Sequence, residues 1–443
     1  MELHLLRLVY GRRRYYLLAA VLLLLGGCNT VAPDGARSAR AEPDYLLTVP
    51  LEPGDTKRET AERHGGRVVV WEADDYAVVG LDTAAGRTLT TQNTTLDPNL
   101  RVFKTNGQAA WMSGRSRTWA GGTSRTWAGG ASYTWTTGVS TLWYNGQYLW
   151  LPENTALWRQ VRLQQGHALA KNLGYGVKVA VIDTGVDLAH PALREALAPA
   201  SQWKDFYSGD NVPQEEGTFA QAGYGHGTEV AGIIRQIAPR ATILPIRVLG
   251  PDGSGDILDL TQAIQYAVAQ GARVINLSLG SDMAVSAVEA AISSATSKGV
   301  LVVASTGNTA DTRVSYPASS SAATTSSGWL RLSVTSVDTY DRKSAFATYG
   351  RSVELAAPGE NVYGPAPGEL VAAWSGTSMA APMASGALAL ALGQKLKVPA
   401  ANLADELRVR AADLHNNGLN EPYKDLIGKG RLNLEEFLRN VAY

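Results

Sequence analysis

Asp183 closes an apolar run in VIDTGVD, His226 lies in GHGTEVAG, and Ser378 lies in SGTSMAAP. These three side-chain types can together carry out nucleophilic acyl transfer. A serine hydroxyl is a weak nucleophile at neutral pH. It needs a neutral imidazole to take its proton and a buried carboxylate to fix the tautomer and stabilise the imidazolium that forms. The choice of histidine is narrow, because the chain has only six. His4 lies in an apolar leader, His64 in a small N-terminal domain, and His167 and His415 in helical or loop contexts without such a motif. His190 follows Asp183 too closely to reach back across a site as its base, and reads as a loop residue before Pro191.

Groups of this kind must be held by rigid elements. The runs 177–183, 241–249, 272–279, 300–306 and 330–337 are rich in Val, Ile and Leu, the composition of parallel strands buried on both faces. Helical patterns at 227–236, 257–270 and 284–298 lie between them. The alternation predicts an α/β fold with a doubly wound, mostly parallel sheet flanked by helices, and sites of such sheets gather at the carboxyl ends of the strands. Upstream, 45–51, 67–73 and 76–82 read as strands and 56–64 as a helix, which makes a small α+β domain.

The three motifs, in the chain order Asp, His, Ser, closely resemble those of the subtilisin-like serine proteases over roughly residues 150–443. The resemblance implies a serine endopeptidase whose triad is Asp183, His226 and Ser378. The oxyanion would be held by the Ser378 backbone N–H at a helix start and by the side-chain amide of Asn308 in STGN. The segments SLG (Ser278, Leu279, Gly280) and GSG (Gly253, Ser254, Gly255) resemble the two strands that sandwich the substrate backbone in this family, which implies protein or peptide substrates bound in extended form. The small domain at 45–106 resembles the family's inhibitory propeptide, an intramolecular partner.

Three departures from the pattern matter. GHGTEVAGIIRQIAPRATIL leaves no room for the calcium-binding loop that often follows the histidine, and HPAL puts Ala192 where a calcium carboxylate is usual. The usual high-affinity calcium site is therefore expected to be absent, with no cofactor or metal required, since a hard divalent ion needs several oxygen ligands. Glu229 stands where HGTH has its second histidine. Ser315 precedes Tyr316-Pro317, where glycine is usual, and this alters the wall of the specificity pocket.

The N-terminus points to export. A basic cluster at Arg12, Arg13 and Arg14 precedes the apolar run YYLLAAVLLLL, which is short for a bilayer span and suited to a signal peptide over 1–27. LGGC looks like a lipobox with Cys28 as the acyl acceptor, and Cys28 is the single cysteine, so no internal disulfide competes for it. Two or three acyl chains would make a stable membrane anchor. Residues 28–44 read as a tether. Between 107 and 150, Trp111, Trp119, Trp127, Trp135 and Trp143 recur every eight residues and SRTWAGG occurs twice, a period that favours extended structure over helix.

Lysine and arginine equal aspartate and glutamate at 40 each, so no basic excess suggests a nucleic-acid partner. The expectation is an extracytoplasmic protease at 151–443, made as a lipid-anchored zymogen. Two alternatives are a surface-binding lipoprotein that uses the Trp repeat on a protease scaffold, and a narrow-specificity processing protease.

Overall fold

The computed structural model describes residues 42–82, 94–100, 102–105, 108–109, 143–144, 147–148, 151–218, 220–321, 329–416 and 418–443. Cys28, the signal segment, nearly all of the tether, and Trp111, Trp119, Trp127 and Trp135 lie outside the described residues.

The first layer is antiparallel. Strand β1 (Tyr45–Pro50), helix α1 (Lys57–His64), and strands β2 (Arg67–Glu72), β3 (Tyr76–Leu81) and β4 (Thr95–Pro98) form a four-stranded sheet in the order β2-β3-β1-β4. Alternation along each strand divides its side chains between two cores. Leu47, Val49, Ala77, Val79 and Leu81 cluster on one face. Leu46, Val70, Tyr76 and Val78 face the other way, into a core shared with the rest of the molecule. The two-residue-period patterns at 45–51 and 76–82 thus match the observed strands, whereas β4 was not anticipated. Two short strands follow, β5 (Phe103–Thr105) and β6 (Gln108–Ala109), and then a hairpin of β7 (Trp143–Tyr144) and β8 (Gln147–Tyr148).

The second layer is the predicted doubly wound sheet. After helices α2 (Thr155–Gln160) and α3 (Leu163–Leu169) come β9 (Lys178–Asp183), β10 (Lys204–Asp205), α4 (His226–Ile237), β11 (Thr242–Arg247), β12 (Ser254–Gly255) and α5 (Ile257–Ala269). Next are β13 (Val274–Leu277), β14 (Leu279–Gly280), α6 (Ser286–Ser297), β15 (Leu301–Ser305), β16 (Arg331–Val337) and β17 (Leu355–Pro358). The chain closes with β18 (Val362–Ala366), β19 (Leu370–Ser375), α7 (Thr377–Leu392), α8 (Leu403–Val409) and α9 (Leu434–Val441). Seven strands lie in the order β10-β11-β9-β13-β15-β16-β17, all parallel. The order reverses at β9, with β11 on one side and β13 on the other, so its carboxyl end is the switch point where a crevice opens. Helices α4 and α7 cover one face with a core that includes Val230, Ile234, Met379 and Ala384; α5 and α6 cover the other with Leu260, Ile264, Val288 and Ile292.

The sheet of β1 to β4 belongs to the same compact unit, residues 37–443, and sits on α5 and α6. Neither helix caps itself with a side chain at its N-terminus. Asp97 accepts a hydrogen bond from Ser286 N at 3.0 Å, and Asn99 Oδ1 accepts one from Leu258 N at 3.2 Å. Each thereby pairs an N–H that has no partner within its own helix. Gln262 Nε2 reaches Val69 O, and Gln265 Nε2 reaches the Tyr76 hydroxyl. A lost cap costs about 1 kcal/mol. In a Ser378→Ala background, Asp97→Ala and Asn99→Ala should each lower the thermal unfolding midpoint and expose the 45–98 segment to an added protease, while α1 substitutions such as Lys57→Ala should do neither.

Candidate active site

Asp183 is the last residue of β9 and His226 the first of α4, so one junction fixes both. Asp183 Oδ1 accepts from His226 Nδ1 at 2.7 Å and from Thr184 N at 2.8 Å. With Nδ1 donating, Nε2 is the basic nitrogen, and it meets no hydrogen-bond partner among the described residues. Gly227 permits the close approach of helix to strand: a Cβ there would lie 2.2 Å from Gly185 O. The Trp374 ring stands edge-on to the imidazole at 5.6 Å between centroids.

Ser378 is the second residue of α7. Its N–H belongs to the first turn, which has no intrahelical acceptor. Pro382 stands four residues on and has no N–H, so the Ser378 carbonyl lacks its helical donor. Ser278 Oγ supplies one at 2.9 Å, and in return Ser378 Oγ donates to Ser278 O at 3.0 Å. The Ser278 hydroxyl also accepts from Asn276 Nδ2, and Asn276 Oδ1 accepts from Ser385 Oγ. Nucleophile and segment 278–280 are thus locked together. Sequence reading put Ser278 beside the substrate but missed this second role, which rests on a contact 100 residues away. The Ser378 hydroxyl is therefore turned toward Ser278 here and is not bonded to His226 Nε2.

Asn308 follows β15 by three residues. Its Oδ1 accepts from Thr377 N at 3.0 Å and from Thr377 Oγ1 at 3.2 Å. With the oxygen anchored, the amide presents Nδ2 as its donor end, next to the turn that carries Ser378. Thr377 was not anticipated, and only its place beside Ser378 hints at it.

The GSG and SLG segments are β12 and β14, and between them lies the chain's own β5, antiparallel to both. Ser254 and Gly255 pair with Lys104 and Phe103, and Leu279 and Gly280 pair with Thr105 and Lys104. Thr105 N donates to Gly253 O at 2.9 Å. A Cβ on Gly253, whose φ is +79°, would lie 2.8 Å from Thr105 Oγ1, so only glycine allows this approach. Phe103 is fully buried, with its ring 6.4 Å from that of Tyr316. Further on, β6 pairs with β19, Gln108 opposite Ser375 and Ala109 opposite Trp374. His226 and Ser378 are themselves fully buried.

His190 and His167 have other occupations. His190 Nε2 lies 3.1 Å from Leu370 O, its Nδ1 accepts from Ala192 N, and burial holds its pKa below the ordinary value. His167 Nε2 lies 2.7 Å from Ile237 O. Ala192 is buried and brings no side-chain oxygen, and residues 238–241 separate α4 from β11. Glu42, Asp256 and Asp259 form a group in which one oxygen of each lies within 4.8 Å of the others, with Asp256 directly after β12.

Strand end, two helix starts and an anchored amide thus meet at one edge of a doubly wound sheet. Residues 174–424 match the subtilase family, and the chain belongs to that family: it is a subtilisin-like serine protease. It is 38% identical to thermitase of Thermoactinomyces vulgaris over 249 residues, 53% of this chain and 83% of that protein. It is 36% identical to subtilisin BL and 35% identical to subtilisin Savinase, both of Lederbergia lenta, over 292 residues, 64% of this chain and 98% of each.

Glu229, one turn after His226, is fully buried, and neither carboxyl oxygen finds a hydrogen-bond partner among the described residues. It faces Gly364, where a Cβ would lie 2.5 Å from both oxygens. Burial alone pushes its pKa well above the ordinary 4.5, so the folded protein holds the neutral acid. The unfolded chain releases this proton near 4.5 and the folded chain only at higher pH, so this group costs progressively more stability as pH rises above 4.5. Glu229→Gln in the Ser378→Ala background should therefore raise the unfolding midpoint, by a margin that grows with pH. Melting curves from pH 5 to 9 check this, and a margin that shrinks as pH rises would contradict it.

Proposed function

We propose that the chain is the precursor of an extracytoplasmic serine endopeptidase, anchored by lipid on Cys28, that removes its own N-terminal segment. The single observation that carries this reading is the path of the chain: β5 lies between β12 and β14, β6 lies against β19, and Ser378 stands between the two. A substrate strand and its own segment are chemically alike here, because main-chain pairing accepts any sequence.

The chemistry assigns one role to each residue. His226 Nε2 takes the proton as Ser378 Oγ turns from Ser278 O and bonds to the carbonyl carbon. The oxyanion accepts from the Ser378 N–H and Asn308 Nδ2. Collapse breaks the C–N bond, and the amine leaves with the proton from Nε2. Water, deprotonated by the same nitrogen, then hydrolyses the ester. No cofactor enters these steps. A base of this kind works only while neutral, so activity should fall toward acid pH.

Thr105, the last residue of β5, pairs with Leu279, next to the Ser278 that holds Ser378 Oγ. Gln108, the first of β6, pairs with Ser375, three residues before Ser378. The bond to be cut lies between Thr105 and Gln108. Cleavage there leaves Cys28 on the inhibitory segment and the Trp repeat on the protease, so maturation would also end the covalent tie to the membrane.

Intact-mass measurement and N-terminal sequencing should find the mature chain starting at Asn106, Gly107 or Gln108, and Ser378→Ala should remain full length in the membrane fraction. A Ser378→Ala chain cut at the same bond would refute self-processing. The amide of Asn308 is tested separately. Loss of one oxyanion donor in a subtilisin, the benchmark for this effect, costs roughly 10²–10³ in turnover. Asn308→Ala should show a loss of that size in kcat on a peptide substrate while staying folded at the assay temperature, with a melting temperature lowered modestly by the lost bonds to Thr377.

A further inference from the structure

Glu215 has no part in the chemistry above, yet it lies buried behind the Asp183–His226 pair, 4% exposed. We propose that Glu215 is a positioning residue that holds the strand end carrying Asp183 and the helix start carrying His226 in catalytic register. The proposal rests on the protease reading of that pair.

The contacts join both elements. Glu215 Oε2 accepts from Thr228 N at 3.2 Å and from Thr228 Oγ1 at 3.0 Å, and Thr228 is two residues after His226. The Thr228 hydroxyl oxygen in turn accepts from Asp187 N at 2.9 Å, on the segment leaving β9. Thr184, next to Asp183, accepts from Gly227 N at 2.9 Å. Glu215 is itself fixed to that segment, because its N–H donates to Val186 O at 3.0 Å while Val186 N donates to Pro213 O. Its neighbour Glu216 is tied to β11 by Arg247, 2.8 Å away, which also bonds Asp205. A residue held at its backbone N–H and at its carboxyl Oε2 can transmit position, whereas an amide in place of the carboxyl offers one acceptor oxygen and adds two N–H donors that must find partners.

The charge environment gives a second readout. Burial pushes Glu215 up to about 7, opposed by the Gly225 N–H and the hydroxyls of Thr184 and Thr228 and reinforced by Asp183. The other charged or titratable groups that feel it are Arg247 from β11 and Tyr224 from the loop before α4.

The test compares wild type with Glu215→Gln, with active enzyme counted by end-point reaction with a phosphonylating serine reagent. Displacement of about 1 Å at a reacting centre can cost 10²-fold, so kcat per titrated site should fall tenfold or more with KM within about twofold. The pH profile of kcat should also change shape near neutrality. Failure of the variant to self-process while melting at the temperature of Ser378→Ala would support the proposal equally. Wild-type kcat per site with an unchanged pH profile would overturn it. Thr228→Val, which removes the hydroxyl and keeps the shape, decides the matter if Glu215→Gln does not fold: wild-type kcat there also overturns the proposal. Wild type inert to both peptide and reagent would instead remove the protease reading itself.

Discussion

Pro382 leaves the Ser378 carbonyl without its helical donor, and the Ser278 hydroxyl takes that place while the Ser278 carbonyl receives the Ser378 hydroxyl. This reciprocal pair joins the start of α7 to the strand that flanks the cleft. A hydrogen bond to a buried carbonyl contributes modestly when made and costs more when lost, because the orphaned group cannot return to water. The nucleophile is therefore held in place by the segment that also pairs with the strand lying in the cleft.

The Asp183–His226 bond applies the same logic on the other side of the crevice. Both groups are buried, and a charge removed from water is tolerated only when partners replace its hydration. Thr184 N and the imidazole serve Asp183 Oδ1 in this way. Two helices begin within reach of one strand end because the sheet order reverses at β9, and the glycine at 227 lets α4 come close enough.

Much of this was legible in the sequence. Five strands and three helices of the main sheet announced themselves as apolar runs and 3.6-residue patterns, with observed ends within three residues of the expected ones: 241–249 became Thr242–Arg247 and 284–298 became Ser286–Ser297. Asp183, His226 and Ser378 stood out because their three motifs, in that chain order, resemble those of the subtilisin-like proteases. Contacts made by short or distant pieces were not legible. FKT is too brief to carry a strand pattern, and β5 exists only because two other strands receive it. Asn99 caps a helix 159 residues away, and Glu215 in PQEEG looks like any loop glutamate until Thr228 is folded against it. Local propensity cannot report a bond whose partner is set by topology.

The N-terminal sheet and the cleft strand form one continuous device. Asp97 and Asn99 complete the N-termini of α6 and α5, and a few residues later β5 completes a three-stranded sheet at the crevice. Removing the segment returns both helix ends to water and leaves β12 and β14 with unpaired edges facing each other across a strand-wide gap. Open strand edges invite another backbone. The hydrogen bonds open to such a backbone are the same set that holds β5 in place. Two strands cannot fill that gap at once, so on the proposed reading the segment would exclude a substrate with the contacts a substrate would use.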